Sequence, residues 1–244
     1  MKKNNTILIT GATGNIGGAV ARRFSEHGWR VIAPVRKLEH NPKALALRAL
    51  PGLHVAECNI EDVKAARLFI RSLANAGDVP AHVLEAAGVF LWDDGFPNVG
   101  QFASPQEVED FLMRANCMTK ENINGALLEY MPWEVGRMHN RMIGSHASTW
   151  GTDDPRRNGP FTEEYYVRSM QRVESIGESM KSHFALSQVL HTPLIDTPET
   201  RRTFTPERAP DITDEVWKTA VTPQEYAVEL YPDEFFAASS AQAA

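Results

Sequence analysis

The chain has 244 residues, a formal net charge of −6 and 43% hydrophobic residues. That length suits one α/β domain with a sizeable core, and the acidic balance argues against nucleic-acid binding. No apolar run reaches membrane-spanning length, and Lys2 and Lys3 lead into no secretory hydrophobic region, so a cytoplasmic protein is expected.

Ile7, Leu8 and Ile9 form a short apolar run, the pattern of a strand buried on both faces of a parallel sheet. Gly11, Gly14 and Gly17 follow at three-residue spacing, and a helical pattern over about 15–27 places Val20 and Phe24 on one face. Strand, glycine turn and helix make a phosphate-binding arrangement. Without side chains the backbone can approach a pyrophosphate, and the helix N-terminus offers free N–H groups and a partial positive charge. The expected contacts are Gly11, Thr13, Gly14, Asn15, Ile16 and Gly17.

The second strand covers 29–35 and is followed by Arg36 and Lys37. An NAD site would place Asp or Glu there for the ribose 2′-hydroxyl; this basic pair suits a 2′-phosphate, so NADP(H) is favoured over NAD(H). A short helix near 41–50 and a strand at 53–58 come next. A helix over 61–76 is expected to turn Val63, Ala66, Phe69, Ile70 and Leu73 inward. The fourth strand lies within 81–88 and stops at Gly88. A loop over 89–103 precedes a long helix at about 105–131. Arg141 to Ser145 read as the fifth strand, 151–161 as a polar loop, 162–181 as a helix and 184–190 as the sixth strand. Short helices are expected at 212–219 and 223–230, and from Glu234 an Ala/Ser tail is expected to be disordered. This alternation predicts a doubly wound α/β parallel sheet of six strands in the order 3-2-1-4-5-6, in one domain spanning 1–244. Trp92, Phe96, Phe102, Trp150 and Phe161 fall in loops expected at the C-terminal edge of the sheet, where ligands of such folds bind. Cys58 and Cys117 are isolated and expected to be reduced; His139 and His146 have no third ligand, so no metal is expected.

In this order of elements the chain resembles the short-chain dehydrogenase/reductase family over roughly residues 6–197. Thr10-Gly11-Ala12-Thr13-Gly14-Asn15-Ile16-Gly17 looks like the fingerprint of its extended and atypical branches. The resemblance implies a Rossmann fold and places further residues. Asn59 and Ile60 sit where the family has an Asp-hydrophobic pair on the adenine. Glu85-Ala86-Ala87-Gly88 sits where it has Asn-Asn-Ala-Gly, so Ala87 and Gly88 are kept and Glu85 departs. Asn116 is similar to the helical Asn that holds a proton-relay water, and Ser145 to the substrate-polarising Ser, with Ser148 as the runner-up. Tyr166 matches the proton donor of the Tyr-x-x-x-Lys pattern, but Met170 stands in the Lys position. Some divergent members carry the Lys seven residues after the Tyr, which would pair Tyr165 with Arg172. Leu194-Ile195-Asp196-Thr197 follows the family's pattern after the sixth strand, with Thr197 on the pyrophosphate.

The resemblance implies an NADP(H)-dependent oxidoreductase that transfers hydride to or from a carbonyl or alcohol, with Ser145, Tyr166 and Asn116 as its catalytic residues. Loss of the Lys leaves two alternatives open: a catalytically impaired dinucleotide-binding protein, or a non-redox lyase, dehydratase or epimerase drawing a base from Glu85, Glu163 or Glu164. The expected partners are a small-molecule substrate and, at most, a second copy in a homodimer, with no nucleic acid and no membrane.

Overall fold

The computed structural model describes residues 5–89, 99–149, 151–153, 163–203 and 212–241. Its strands are β1 (Thr6–Thr10), β2 (Arg30–Val35), β3 (Leu53–Glu57), β4 (His82–Glu85), β5 (His139–Ser145) and β6 (Leu186–Thr192). They form one sheet in the order β3-β2-β1-β4-β5-β6, and every neighbouring pair is parallel, as expected.

All of β1 is buried, and its side chains alternate between two cores as the pleat requires. Ile7 and Ile9 join Val31 and Ala33 under α1 (Asn15–Glu26), where Phe24 and Ala21 meet them. Leu8, Ile32 and Val83 face the opposite side. There they pack under α3 (Val63–Ala76) and α5 (Thr119–Tyr130) through Phe69, Ile70, Ile123 and Leu127. α2 (Pro42–Arg48) is started by the Asn41 side chain, which accepts from the N–H groups of Lys43 and Ala44. Asp62 caps α3 in the same way, and Gly77 ends it at a φ of 71°. Val63, expected inward, is the first residue of α3 and is 46% exposed.

The helix expected over 105–131 is broken in two. α4 (Pro105–Met113) passes into a five-residue π-helical segment, Arg114–Met118, before α5 begins. Such bulges recur at functional sites, and this one carries Asn116. α6 (Glu163–Met180) covers β5 and β6. Beyond β6 come α7 (Pro198–Thr203), α8 (Asp214–Trp217) and α9 (Pro223–Leu230), the last begun by a capping box between Thr222 and Glu225. An isolated parallel bridge joins Ile195 to Val221.

The expected disordered tail is corrected here: Asp233–Ala241 forms a further helix, α10. Its two phenylalanines supply the reason. Phe236 is 5% exposed, and Phe24 stands edge-on to Phe236 at 5.1 Å, to Tyr231 at 4.7 Å and to Trp29 at 5.1 Å. Arg23 ties this end down by donating to Tyr231 O at 2.6 Å and to Asp233 at 2.7 Å. Buried aromatic area of this kind outweighs the polar Ala/Ser face of the segment. Phe236→Ala is therefore expected to destabilise the protein by roughly 3–5 kcal/mol in denaturant unfolding. A loss below about 1 kcal/mol would show that α10 is not part of the core.

Candidate functional site

The site is built at the point where the strand order reverses, between β1 and β4. Gly11 has a φ of +68°, and a Cβ there would lie 2.6 Å from the Ala86 carbonyl carbon and the Ala87 nitrogen. The turn after β1 thus lies directly on the backbone that continues β4. A Cβ on Gly17 would stand 2.8 Å from the Gly11 carbonyl carbon, so α1 packs against the same turn. Gly14 is the N-cap of α1 and brings no capping side chain, which leaves the first-turn N–H groups open to an anion. That backbone cradle fits a dinucleotide pyrophosphate.

Two hollows flank the cradle. One, of about 310 Å³, is lined by Asn15, Ile16, Gly17, Tyr166 and Thr197. The other, of about 220 Å³, is lined by Gly11, Thr13, Arg36, Ile60 and Glu61. Gly14, Ala87 and Gly88 border both, so the structure brings most of the expected cofactor contacts together. Arg36 sits at the outer end, where it donates to Glu61 at 2.9 Å. Asn59 and Lys37 do not join this set. The Asn59 side-chain Oδ1 accepts from the Glu61 N–H at 3.3 Å in the turn before α3, and Lys37 is exposed. A third hollow, of about 170 Å³ on the outer side of the cradle, is bordered by Arg22 and Lys43. Lys43 is a cation that the sequence reading did not single out; its nearness to Thr13 and Gly14 depends on how α2 folds back.

Tyr166 borders the larger hollow. Burial pushes this phenol's pKa up, and the neighbouring Ser145 side chain partly offsets it. Ser148 is spoken for elsewhere: it donates to Glu174 at 3.2 Å and lies 3.4 Å from His191. Tyr165 packs with Val108, Leu112 and Phe102, and the Arg172 guanidinium is held by Glu121 at 3.0 Å. The alternative pairing of Tyr165 with Arg172 is therefore not assembled. Phe102 is an anchor of that small apolar cluster. Trp92, Phe96, Trp150 and Phe161 lie outside the described residues.

Asn116 is fully buried and its amide is fully used. It accepts from Val89 N–H at 2.7 Å and donates to Val89 O and to Ser169 Oγ, each at 3.1 Å. The side chain braces the start of the loop after β4 against α6; its backbone carbonyl accepts from Lys120 Nζ at 2.9 Å. Met170 borders the hollow and is buried with Cys117, Met142, Val173 and Ile176. Glu85 is sealed beneath the site. Its Oε1 accepts from Asn124 at 3.0 Å, and Asn124 in turn accepts from Asn140 at 2.8 Å. Burial raises the Glu85 pKa to about 7 against the opposing pull of Lys120. Thr197, 6% exposed, closes the far wall with its hydroxyl 3.1 Å from that of Thr200. Both cysteines are free and buried, and among the described residues there is no metal-binding cluster and no helix long and apolar enough to cross a membrane.

Comparison with known proteins agrees with this geometry. Residues 3–91 match the model of the NmrA-like family. A segment of 124 residues is 36% identical to sulfoacetaldehyde reductase 2 of Chromohalobacter salexigens, covering 50% of this chain and 44% of that protein. A segment of 70 residues is 40% identical to serine 3-dehydrogenase of Agrobacterium fabrum, covering 29% of this chain and 28% of that protein. The chain spans less than half the length of the curated relatives it matches. The closed form of a serine dehydrogenase complexed with NADP+ superposes with a TM-score of 0.68 at 18% identity, covering 93% of this chain and 87% of that one. The Rossmann sheet, the glycine cradle and these partial matches together support a member of the short-chain dehydrogenase/reductase family.

Proposed function

We propose that the chain is an NADP(H)-dependent oxidoreductase that reduces a small-molecule carbonyl or oxidises the corresponding alcohol. The observation that carries this reading is the position of Tyr166 in a hollow whose opposite wall is the glycine cradle, with the hydroxyl of Ser145 acting on its phenol. The cradle, Ala87–Gly88 and Thr197 would hold a nicotinamide dinucleotide, which when bound supplies or accepts hydride. Tyr166 gives its hydroxyl proton to the carbonyl oxygen, and Ser145 bonds the same oxygen and fixes its direction. Because burial raises the pKa of Tyr166, the phenol stays protonated at neutral pH. It is ready to act as an acid, in the direction of reduction. As a base it must first ionise, so oxidation is the slower direction near neutrality.

Two exposed features support NADP(H) over NAD(H). Arg36 and Glu61 form a surface pair, of the kind worth under about 1 kcal/mol, which a 2′-phosphate can displace. Lys43 lies beside the same turn. A second reading, a dinucleotide-binding protein with little turnover, draws on Met170, whose thioether supplies no charge to Tyr166. The non-redox reading loses support because Glu85 is fully buried away from the hollow and Glu164 is paired with Arg168.

Arg36→Ala is expected to weaken NADPH binding about tenfold or more, the scale of one charge-assisted hydrogen bond, with NADH almost unaffected in calorimetric titration. Equal losses for both would remove Arg36 as the phosphate reader. Tyr166→Phe is expected to lower carbonyl reduction at least about 100-fold while NADPH affinity stays within about twofold. In the wild type, alcohol oxidation should climb steadily from pH 6 to pH 9 while reduction stays level, since only the former needs ionised Tyr166. An oxidation rate already level at pH 7 would contradict this assignment.

A further inference from the structure

Among the described residues bordering the larger hollow, one side chain is cationic, and it does not come from α6. Lys120, in the first turn of α5, is 1% exposed and borders the hollow together with Asn116, Gly88, Tyr166 and Met170. Its Nζ donates to Ala87 O at 2.8 Å and to Asn116 O at 2.9 Å. An ammonium has three donors, so one remains after these two bonds. Among the described residues no carboxylate forms an ion pair with it; the acid coupled to it most strongly, Glu85, is engaged by Asn124. An ammonium hydrogen-bonded only to two neutral carbonyls has a donor to spare, and an oxygen from a ligand would complete it.

The other cations of this region are committed elsewhere. Arg172 is held by Glu121 of α5, and Arg168 by Glu109 of α4 and by Glu164, while Arg36 lies at the far end of the crevice. Met170 fills the inward position on α6 with an apolar side chain.

We propose that Lys120 is the cofactor-binding cation of this site: reaching in from α5, it holds the ribose hydroxyls next to the nicotinamide, a position that Met170 leaves without a donor on α6. This rests on the dinucleotide reading above and adds a residue that the glycine cradle does not require. The carbonyls that Lys120 grips also belong to the site wall, at the end of β4 and in the π-helical turn, so its head is fixed before a ligand arrives.

The test compares Lys120→Met with the wild type by calorimetry against two ligands: NADPH, and adenosine 2′,5′-bisphosphate, which lacks the nicotinamide riboside. The proposal expects NADPH to bind the variant about tenfold or more weakly and the bisphosphate to bind within about twofold. Unchanged NADPH affinity overturns it, and so does an equal loss for both ligands, which would mark Lys120 as a clip for the backbone alone. A wild type that binds neither ligand would instead overturn the dinucleotide reading on which the proposal rests. Should the variant fail to fold, a crystal structure of the wild type with NADP(H) decides the matter. A ribose hydroxyl bonded to Lys120 Nζ, directly or through one water, supports the proposal, and ribose hydroxyls with no such link overturn it.

Discussion

Everything at this site depends on one backbone-to-backbone approach: the turn after β1 lying against the chain that leaves β4. Gly11 permits it, since any Cβ there would strike Ala86 and Ala87. The same approach sets the distance between the cradle and Ala87–Gly88, and hence the width of both hollows. Gly17 repeats the constraint one turn into α1 and keeps that helix's N-terminus aimed into the crevice. A parallel sheet with both faces covered makes this arrangement rigid, because β1 is buried along its whole length.

Beneath the crevice lies a buried polar network that apolar packing alone would not produce. Asn116 clamps Val89 and Ser169, Lys120 clamps Ala87 and Asn116, and Glu85 is held by Asn124 and, through it, Asn140. Each member fastens the loop after β4, or the end of that strand, to the helices behind it. The π-helical turn at 114–118 is the local irregularity that puts Asn116 and the backbone carbonyl gripped by Lys120 on the inner side. Low dielectric strengthens such bonds, and the site's walls are therefore stiff before any ligand binds.

The sheet order and the glycine cradle were legible in the sequence because they rest on local signals: apolar runs of strand length, glycines at fixed spacing and a helix directly after them. A joint role for Ser145 and Tyr166 was suggested only by the family resemblance, since the two residues lie on different elements, β5 and α6. Lys120 and Lys43 were missed because their positions depend on tertiary packing. A lysine four residues after Asn116 on a mostly apolar helix face was the one available sign of the former. The terminal helix was missed for a related reason. Phe235 and Phe236 precede an Ala/Ser run with no strand or long helical period, and only the aromatic cage around Phe24 makes the segment order itself. Asn59 does not border the described hollows; its side-chain oxygen closes its own turn by accepting from the Glu61 N–H.

The most direct measurement is the NADPH affinity of Gly14→Val. Gly14 has φ −79° and ψ 173°, a conformation open to any residue, and an added Cβ would meet only the Gly11 carbonyl oxygen, at 3.1 Å. The variant should therefore fold with a melting temperature close to the wild type, while its side chain occupies the space of the pyrophosphate. The account predicts that NADPH binding, present in the wild type, is abolished in this folded variant. A folded variant that keeps wild-type affinity would contradict it.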